Sequence, residues 1–193
     1  MKKIFLIIVC ASTFVVAKAQ VSYGVKGGLN LANIVGDDAE GAKAKVGYHA
    51  GLFAGIPVAD KFSIQPELVY SAQGAKYEEA GEDDINFNSN YLNIPVLAKY
   101  TTASGFYGET GPQLGFLLSA KAKQNDEKVD VKEFYKSTDF SWAFGIGYKT
   151  SSNLGIDLRY NLGLSSIDEE GDAKAKNGVF QLGLFYVLGS KQQ

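Results

Sequence analysis

The amino-acid sequence predicts an all-β fold, an eight-stranded antiparallel up-and-down barrel. The first observation is a period of two: from 154 to 164 every even position is apolar and every odd position is polar or glycine, as in a strand with two different faces. The second is that this pattern recurs in eight stretches after residue 20. The third is that the apolar faces carry aromatic residues near their ends and the polar faces carry charge and glycine. This distribution is typical of a transmembrane barrel, which is apolar outside and polar inside.

Each predicted strand shows the same alternation. The strands span about residues 22–34, 46–58, 62–76, 91–100, 106–120, 139–149, 154–164 and 178–188. The inward polar faces carry a set of charged residues: Lys26, Glu67, Lys99, Glu109, Asp139, Lys149, Asp157 and Arg159. The outward faces carry candidates for aromatic girdles at the two membrane surfaces: Tyr23, Tyr48, Tyr70, Tyr100, Trp142, Tyr148, Tyr160 and Tyr186.

The connections between predicted strands fall into two classes that alternate. Residues 59–61, 101–105 and 150–153 form short turns, whereas residues 35–45, 77–90, 121–138 and 165–177 form long polar loops. Barrels of the outer membrane have short periplasmic turns and long extracellular loops. An even number of strands then returns both termini to the periplasm.

The N-terminal segment has the features of a secretory signal peptide. Lys2 and Lys3 precede an apolar run from 4 to 16, and Ala17-Lys18-Ala19 provides small residues for cleavage near Ala19–Gln20. We therefore expect residues 1–19 to be removed and residues 20–193 to form the barrel domain. The alternative is an N-terminal membrane anchor, for which the run is too short to span a bilayer comfortably. Cleavage removes Cys10, so the mature chain is expected to contain no disulfide.

Composition excludes some classes of function. The formal net charge is −2, and a mildly acidic chain is a poor candidate for nucleic-acid binding. The mean hydropathy is −0.07, and the expected mature chain has no apolar stretch long enough for a transmembrane helix. Alternating strands escape such hydropathy windows because every second residue is polar.

Four prolines fall inside the predicted strands: Pro57, Pro66, Pro95 and Pro112. Proline has no backbone N–H and weakens a strand ladder, so it is confined to edges and bulges. We therefore expect these prolines to occupy bulges or strand ends.

Several segments resemble the small outer-membrane β-barrel proteins (porin-like, PorT-type) of Bacteroidetes. Residues 62–74, FSIQPELVYSAQG, resemble the third-strand signature of that family, and residues 91–100, YLNIPVLAKY, resemble its next strand. Residues 157–160, DLRY, resemble a late-strand motif, and residues 27–30, GGLN, fit the opening strand. The resemblance implies an outer-membrane location in a Gram-negative cell and assembly by the barrel assembly machinery, and it says almost nothing about an activity.

The inward charges have two interpretations. An eight-stranded barrel has an interior just wide enough for side chains to fill it, so the balanced acids and bases predict a salt-bridge network that plugs the lumen. The alternative is a narrow porin-like path for ions or small solutes. The mature chain has a single histidine, His49, which we interpret as a hydrogen-bonded residue of the inner wall, so we expect no enzyme activity and no cofactor.

The long loops contain most of the acidic residues, which are expected to form a solvated rim. The run Glu82-Asp83-Asp84 is a candidate for divalent cations that bridge to lipopolysaccharide phosphates, because carboxylates are ligands that Ca²⁺ and Mg²⁺ prefer. It lacks the spacing of an EF-hand, and we assign no resident metal.

The sequence therefore favours an outer-membrane barrel with a structural or surface-interaction role and with outer-membrane lipid and lipopolysaccharide as neighbours. A narrow channel is the first alternative. A soluble lipocalin-like carrier in the periplasm is the second, and it would require the apolar faces to line a cavity. The surface ligand is not specified by the sequence.

Overall fold

The computed structural model of the chain describes residues 20–36, 41–77, 85–124, 127–168 and 175–190. The predicted signal peptide and the candidate cation contacts Glu82, Asp83 and Asp84 lie outside the described residues. No helix in the described ranges is long and apolar enough to cross a membrane.

The described residues form nine strands and one short 3-10 turn at Lys132–Phe134. The strands are β1 (Ser22–Val35), β2 (Ala42–Ala59), β3 (Phe62–Tyr77), β4 (Ile85–Thr101), β5 (Phe106–Gln124), β6 (Glu127–Asp130), β7 (Thr138–Lys149), β8 (Leu154–Gly163) and β9 (Lys176–Ser190).

Eight of these strands close into an antiparallel ring, which confirms the predicted barrel. The order is β4-β3-β2-β1-β9-β8-β7-β5, and an additional pairing of β4 with β5 completes the circle. Closure removes the unpaired edges that an open sheet would expose. The remaining strand, β6, lies outside the ring and pairs with the C-terminal end of β5.

The alternation in the sequence produces a wall whose polarity is the reverse of a soluble protein. Outward side chains are apolar and exposed, for example Leu29 at 60% and Ile146 at 64%. Inward side chains are polar and buried, for example Asn30 at 1% and Arg159 at 2%. A soluble carrier would bury the apolar face, so this arrangement is inconsistent with the lipocalin-like alternative.

The outward aromatic residues lie in two groups along the strands. Tyr23, Tyr100, Tyr148 and Tyr186 lie near the short turns and the chain ends, and Tyr48, Tyr70, Trp142 and Tyr160 lie farther toward the long connections. Neighbouring strands bring rings together at both levels. The ring centroids of Phe62 and Tyr100 are 5.0 Å apart, and those of Tyr160 and Phe180 are 4.4 Å apart.

The strands continue farther into the predicted long loops than the sequence pattern indicated. Residues 85–90 were expected to be loop but belong to β4, and residues 121–124 belong to β5. Asparagine, which is uncommon in strands, concealed the alternation in 85–90. Phe87 points inward and packs with Tyr91, Ala75 and Ala120, so burial of an apolar core keeps this extension in the ladder.

Three of the four prolines are not at bulges or strand ends, contrary to expectation. Pro57 lies at a register shift near the end of β2, as predicted. Pro66, Pro95 and Pro112 lie inside β3, β4 and β5, and the ladder skips pairs nearby while keeping its register. For example, β4 and β5 pair at Pro95–Gln113 and resume at Ala98–Thr110. Proline at these positions therefore removes a ladder hydrogen bond but does not introduce a bulge.

We predict a depth-dependent cost for charge on the outer wall. Leu158→Arg, in the middle of β8, is expected to destabilise the barrel by about 2–4 kcal/mol, because the charge enters the bilayer midplane. The matched change Leu154→Arg, beside the short turn, is expected to cost about 0–1 kcal/mol. Urea unfolding of each variant from phospholipid vesicles measures both values. Equal costs at the two depths would contradict a membrane-spanning orientation of β8.

Candidate functional site in the barrel lumen

The centre of the lumen is crossed by an ion pair between opposite walls. Arg159 on β8 donates from Nη1 to Glu67 Oε2 and from Nη2 to Glu67 Oε1 on β3, both at 2.8 Å. Its Nε also donates to Glu109 Oε1 on β5 at 3.0 Å. A planar guanidinium that meets a carboxylate through two parallel bonds is the strongest and most directional form of such a pair.

Two lysines extend this pair into a balanced cluster of charges. Lys26 Nζ lies 3.5 Å from both Glu67 Oε2 and Asp157 Oδ2. Lys99 Nζ lies 3.8 Å from Glu109 Oε2 and donates to Gln65 Oε1 at 3.2 Å. The central cluster is therefore composed of equal numbers of acids and bases: Lys26, Glu67, Lys99, Glu109, Asp157 and Arg159.

The other two predicted lumen charges lie apart from the central cluster. Asp139 is buried nearer the long-loop end, where Asn177 Nδ2 donates to Oδ2 at 3.1 Å and Ser165 Oγ donates to Oδ1 at 2.9 Å. Lys149 lies at the end of β7 beside the short turn and is half-buried. The sequence pattern placed both on the inward face, but it could not give their height along the barrel axis.

An amide network lies beside the central cluster and includes the histidine. His49 Nδ1 lies 2.8 Å from Asn30 Oδ1, and Gln181 Nε2 donates to the same oxygen at 3.0 Å. Asn30 Nδ2 donates to Ser71 Oγ at 3.0 Å. The sequence analysis did not single out Asn30, Gln65 and Gln181 as site residues, although the period-two alternation places all three on the inward face.

Glycines provide the space that the central cluster needs. A Cβ at Gly145 would lie 2.9 Å from Cγ of Glu109, and a Cβ at Gly183 would lie 3.0 Å from Asp157 Oδ1 and 3.1 Å from His49 Nε2. Larger residues at these positions would displace the charged side chains. The glycines were recognised in the sequence as inward residues, but which side chains they accommodate depends on pairing between strands.

Three aromatic residues pack together inside the lumen below the central cluster. Phe53, Tyr107 and Phe185 form a buried cluster toward the short turns. Their ring centroids are 5.9 Å apart for Phe53 and Phe185 and 6.0 Å apart for Tyr107 and Phe185. Lys99 Nζ lies 3.5 Å from the centroid of the Tyr107 ring, a cation–π geometry. These rings point inward on strands that were expected to have polar inner faces.

A larger apolar cluster lies inside the opposite, long-loop end. It contains Ile34, Phe87, Leu117 and Ile167, and the loop residue Tyr135 packs against it. The rings of Phe87 and Tyr135 are 4.7 Å apart. Burial, with a smaller contribution from the charge of Asp168, raises the pKa of Tyr135 to about 12.

A comparison with protein families identifies the class of this barrel. The family described as "Outer membrane protein beta-barrel domain" matches residues 16–169, a stretch that begins before β1 and ends after β8. The chain belongs to this family. It is an outer-membrane protein of a Gram-negative bacterium, and its short turns accordingly face the periplasm.

Solved structures of small outer-membrane barrels share the fold. Neisserial surface protein A (NspA) is 15% identical, with a TM-score of 0.58, over 86% of this chain and 97% of that chain. Ail, the attachment invasion locus protein of Yersinia pestis, is 17% identical, with a TM-score of 0.50, over 88% of this chain and 99% of that chain. No curated protein sequence matches the chain.

The remaining space in this outer-membrane barrel is distributed unevenly along its axis. A cavity of about 10 Å³ lies inside the lumen between the aromatic rings and the central cluster, lined by Lys26, Phe53, Gln65, Lys99, Tyr107, Asp157 and Phe185. This volume is close to the minimum that holds one water molecule. A wider vestibule of about 320 Å³ lies at the periplasmic mouth, where Lys61 and Lys149 lie on its wall.

The described residues contain no group of three or more His, Cys, Asp or Glu side chains positioned to hold a metal ion. The candidate cation contacts in the second long loop lie outside these residues. The six charged groups of the central cluster lie against one another.

We predict that breaking the central pair on one side destabilises the barrel strongly. Arg159→Met leaves Glu67 and Glu109 buried without their main partner, which is expected to cost about 3–5 kcal/mol. Lys149→Met is the matched control and is expected to change the free energy of unfolding by less than about 0.5 kcal/mol, because this lysine lies outside the central cluster. Urea unfolding in phospholipid vesicles measures both.

A combined variant separates lost pairing from lost packing. Arg159→Met together with Glu67→Gln leaves Lys26 paired with Asp157 and Lys99 paired with Glu109, so it restores the balance of buried charges and is expected to recover part of the loss. If this double variant is no more stable than Arg159→Met, the destabilisation comes from packing and the role given to the ion pairs is wrong.

Proposed function

We propose that this chain is a structural or surface-interaction barrel whose lumen is plugged. The observation that carries the proposal is the bidentate pair between Arg159 and Glu67, which joins opposite walls of the ring at 2.8 Å. The aromatic cluster of Phe53, Tyr107 and Phe185 adds a second obstruction below it. A barrel closed in this way presents its long extracellular loops as the interacting part.

The proposal includes no catalytic step. His49, the histidine of the mature chain, shares an amide oxygen of Asn30, an arrangement that orients the ring within a network. The charged side chains of the central cluster form ion pairs with one another. This pattern favours a structural role over general acid–base chemistry, which requires a group free to exchange a proton with a substrate.

The finer membership that we propose is the PorT-type branch found in Bacteroidetes. The motifs that resemble that branch contribute most of the central cluster: 62–74 provides Glu67, 91–100 provides Lys99, and 157–160 provides Asp157 and Arg159. Because residues from these separate motifs contact one another in the lumen, they support the proposal that this barrel shares its internal arrangement with the PorT-type branch.

The outer-membrane location supports a proposal about biogenesis and partners. We propose that residues 1–19 are a signal peptide cleaved near Ala19–Gln20, that the barrel assembly machinery inserts the mature chain, and that outer-membrane lipid and lipopolysaccharide surround it. The acidic run at Glu82, Asp83 and Asp84 remains a proposed contact for divalent cations that bridge to lipopolysaccharide.

A narrow channel is the second candidate function. The vestibule of about 320 Å³ at the periplasmic mouth favours it, because Lys61, Lys99 and Lys149 line the wall and would attract small anions. This route would require passage through the central cluster, where the cavity has a volume of only about 10 Å³.

We predict that the folded barrel is silent in a planar bilayer. Insertion is first established by a boiled-versus-unboiled gel shift, and the single-channel conductance of the native chain is then recorded. Glu67→Ala combined with Arg159→Ala removes the cross-lumen pair without leaving one partner alone, and it is expected to produce stepwise openings. Lys149→Ala, which keeps the cross-lumen pair, is the control and is expected to stay silent.

The opposite result would favour the channel. Steady openings of the native barrel that change when Glu109 or Arg159 is neutralised would mean that the lumen is open and that the role is transport.

A further inference from the structure

The outward face of the barrel carries a row of lysines beyond the membrane-facing wall at its long-loop end. Register places Lys43 opposite Lys76, Lys76 opposite Asn86, Asn86 opposite Lys123, and Lys123 opposite Lys128. Side chains directly opposite in a ladder point to the same face. The row therefore runs across β2, β3, β4, β5 and β6 on one side of the sheet.

This row faces outward because its neighbours in the sequence face inward. Ala75 and Phe87 belong to the apolar cluster inside the barrel, and successive residues of a strand alternate between faces. Lys76 and Asn86, which are adjacent to them, consequently lie on the outer surface. The lysine face is defined here as Asn88, Lys121, Lys123 and Lys128, which line a surface hollow of about 280 Å³.

The lysine face contains a like-charge pair that the fold alone does not favour. Lys123 and Lys128 are directly opposite, and like charges in that position destabilise a strand pair. Lys45 Nζ adds a further positive charge beside it, since it donates to the side chain of Asn88 and to the backbone oxygen of Phe87. Asp130 lies opposite Lys121 and offsets one of these charges, but the three lysines that line the hollow still leave an excess of positive charge.

We propose that the lysine face binds phosphate groups of lipopolysaccharide in the outer leaflet. Charge complementarity is the first argument, because lysine ammonium groups bind phosphate and Asn88 can donate to its oxygens. The second is continuity with the membrane-facing wall. On β5 the outward side chains Phe116 and Leu118 are exposed apolar residues, and Lys121 follows them with only Ser119 and Ala120 between. The lysines thus begin where the apolar wall ends, at the level of lipid headgroups.

This proposal deepens the lipopolysaccharide partnership proposed above and is independent of whether the lumen conducts. It differs from the acidic-loop contact in its chemistry, because lysines bind phosphate directly and need no bridging cation. Binding through the lysine face is accordingly expected to persist in EDTA and to weaken with salt, since salt screens exposed charges.

The test is a titration of the folded chain in detergent with fluorescently labelled lipopolysaccharide, followed by anisotropy in EDTA. The test variant is Lys123→Gln with Lys128→Gln. The matched control is Lys61→Gln with Lys149→Gln, which removes two lysines from the periplasmic end. Each protein is first shown to be folded by the boiled-versus-unboiled gel shift, which does not depend on lipid binding.

The test variant is expected to bind phosphorylated lipopolysaccharide about 25-fold more weakly than the native chain, and the control to bind as the native chain does. Dephosphorylated lipopolysaccharide is expected to bind both the native chain and the test variant equally weakly. Equal affinity of the test variant and the control would overturn the assignment to the lysine face. No binding by a folded native chain would overturn the partnership itself.

A competition arm with soluble polyphosphate distinguishes a lipid-anchored phosphate from a free polyanion. Lipopolysaccharide is expected to remain bound at concentrations of polyphosphate that match its phosphate content, because the acyl chains add contact with the apolar wall. Complete displacement at matched phosphate would mean that the lysine face takes a soluble polyanion, and the lipid proposal would be wrong.

Discussion

The bidentate pair between Arg159 and Glu67 is the interaction on which the interior of this barrel depends. It joins β8 to β3, strands on opposite sides of the ring, so it acts across the lumen rather than along the wall. Each of the other central charges is arranged around it: Glu109 accepts from the same guanidinium, and Lys26 lies between Glu67 and Asp157. Buried charges are tolerated only when they are paired, so the position of one side chain constrains those of the others.

The two apolar clusters at the ends of the lumen reinforce this arrangement. Water that entered the lumen would solvate the charged groups separately and weaken their attraction. Phe53, Tyr107 and Phe185 cover the cluster on the periplasmic side, and Phe87, Tyr91 and Leu117 lie on the other. The barrel therefore has a polar centre between two apolar layers, although its wall faces an apolar membrane. This layered interior is the physical basis of the plug that we propose.

The outer surface follows a different constraint, because its surroundings differ between the part that spans the membrane and the part that extends beyond it. Leucine, isoleucine and aromatic side chains face outward along the spanning part, and lysines and asparagines replace them where the strands continue beyond it. The same alternation in sequence places an apolar cluster inside and a basic face outside in that extension. The extended strands thus carry the barrel architecture into the extracellular loops, where an interaction role would be exercised.

The sequence by itself determined the class of fold, the number of strands in the ring and the inward face of the charges that form the central cluster. These follow from local physics: period-two alternation fixes the face, and the alternation of short and long connections fixes the up-and-down order. Tertiary structure decided the rest. The separation of Asp139 and Lys149 from the central cluster depends on height along the axis, which is set by the register of all eight strands. The meeting of Arg159 with Glu67 depends on closure and on pairing between distant segments, and that of Lys123 with Lys128 depends on a hairpin of β5 and β6 that lies within a predicted loop. The sequence also did not predict that Pro66, Pro95 and Pro112 lie inside strands. The loss of a ladder hydrogen bond at a proline can be offset only by contacts with neighbouring strands, which a single segment does not reveal.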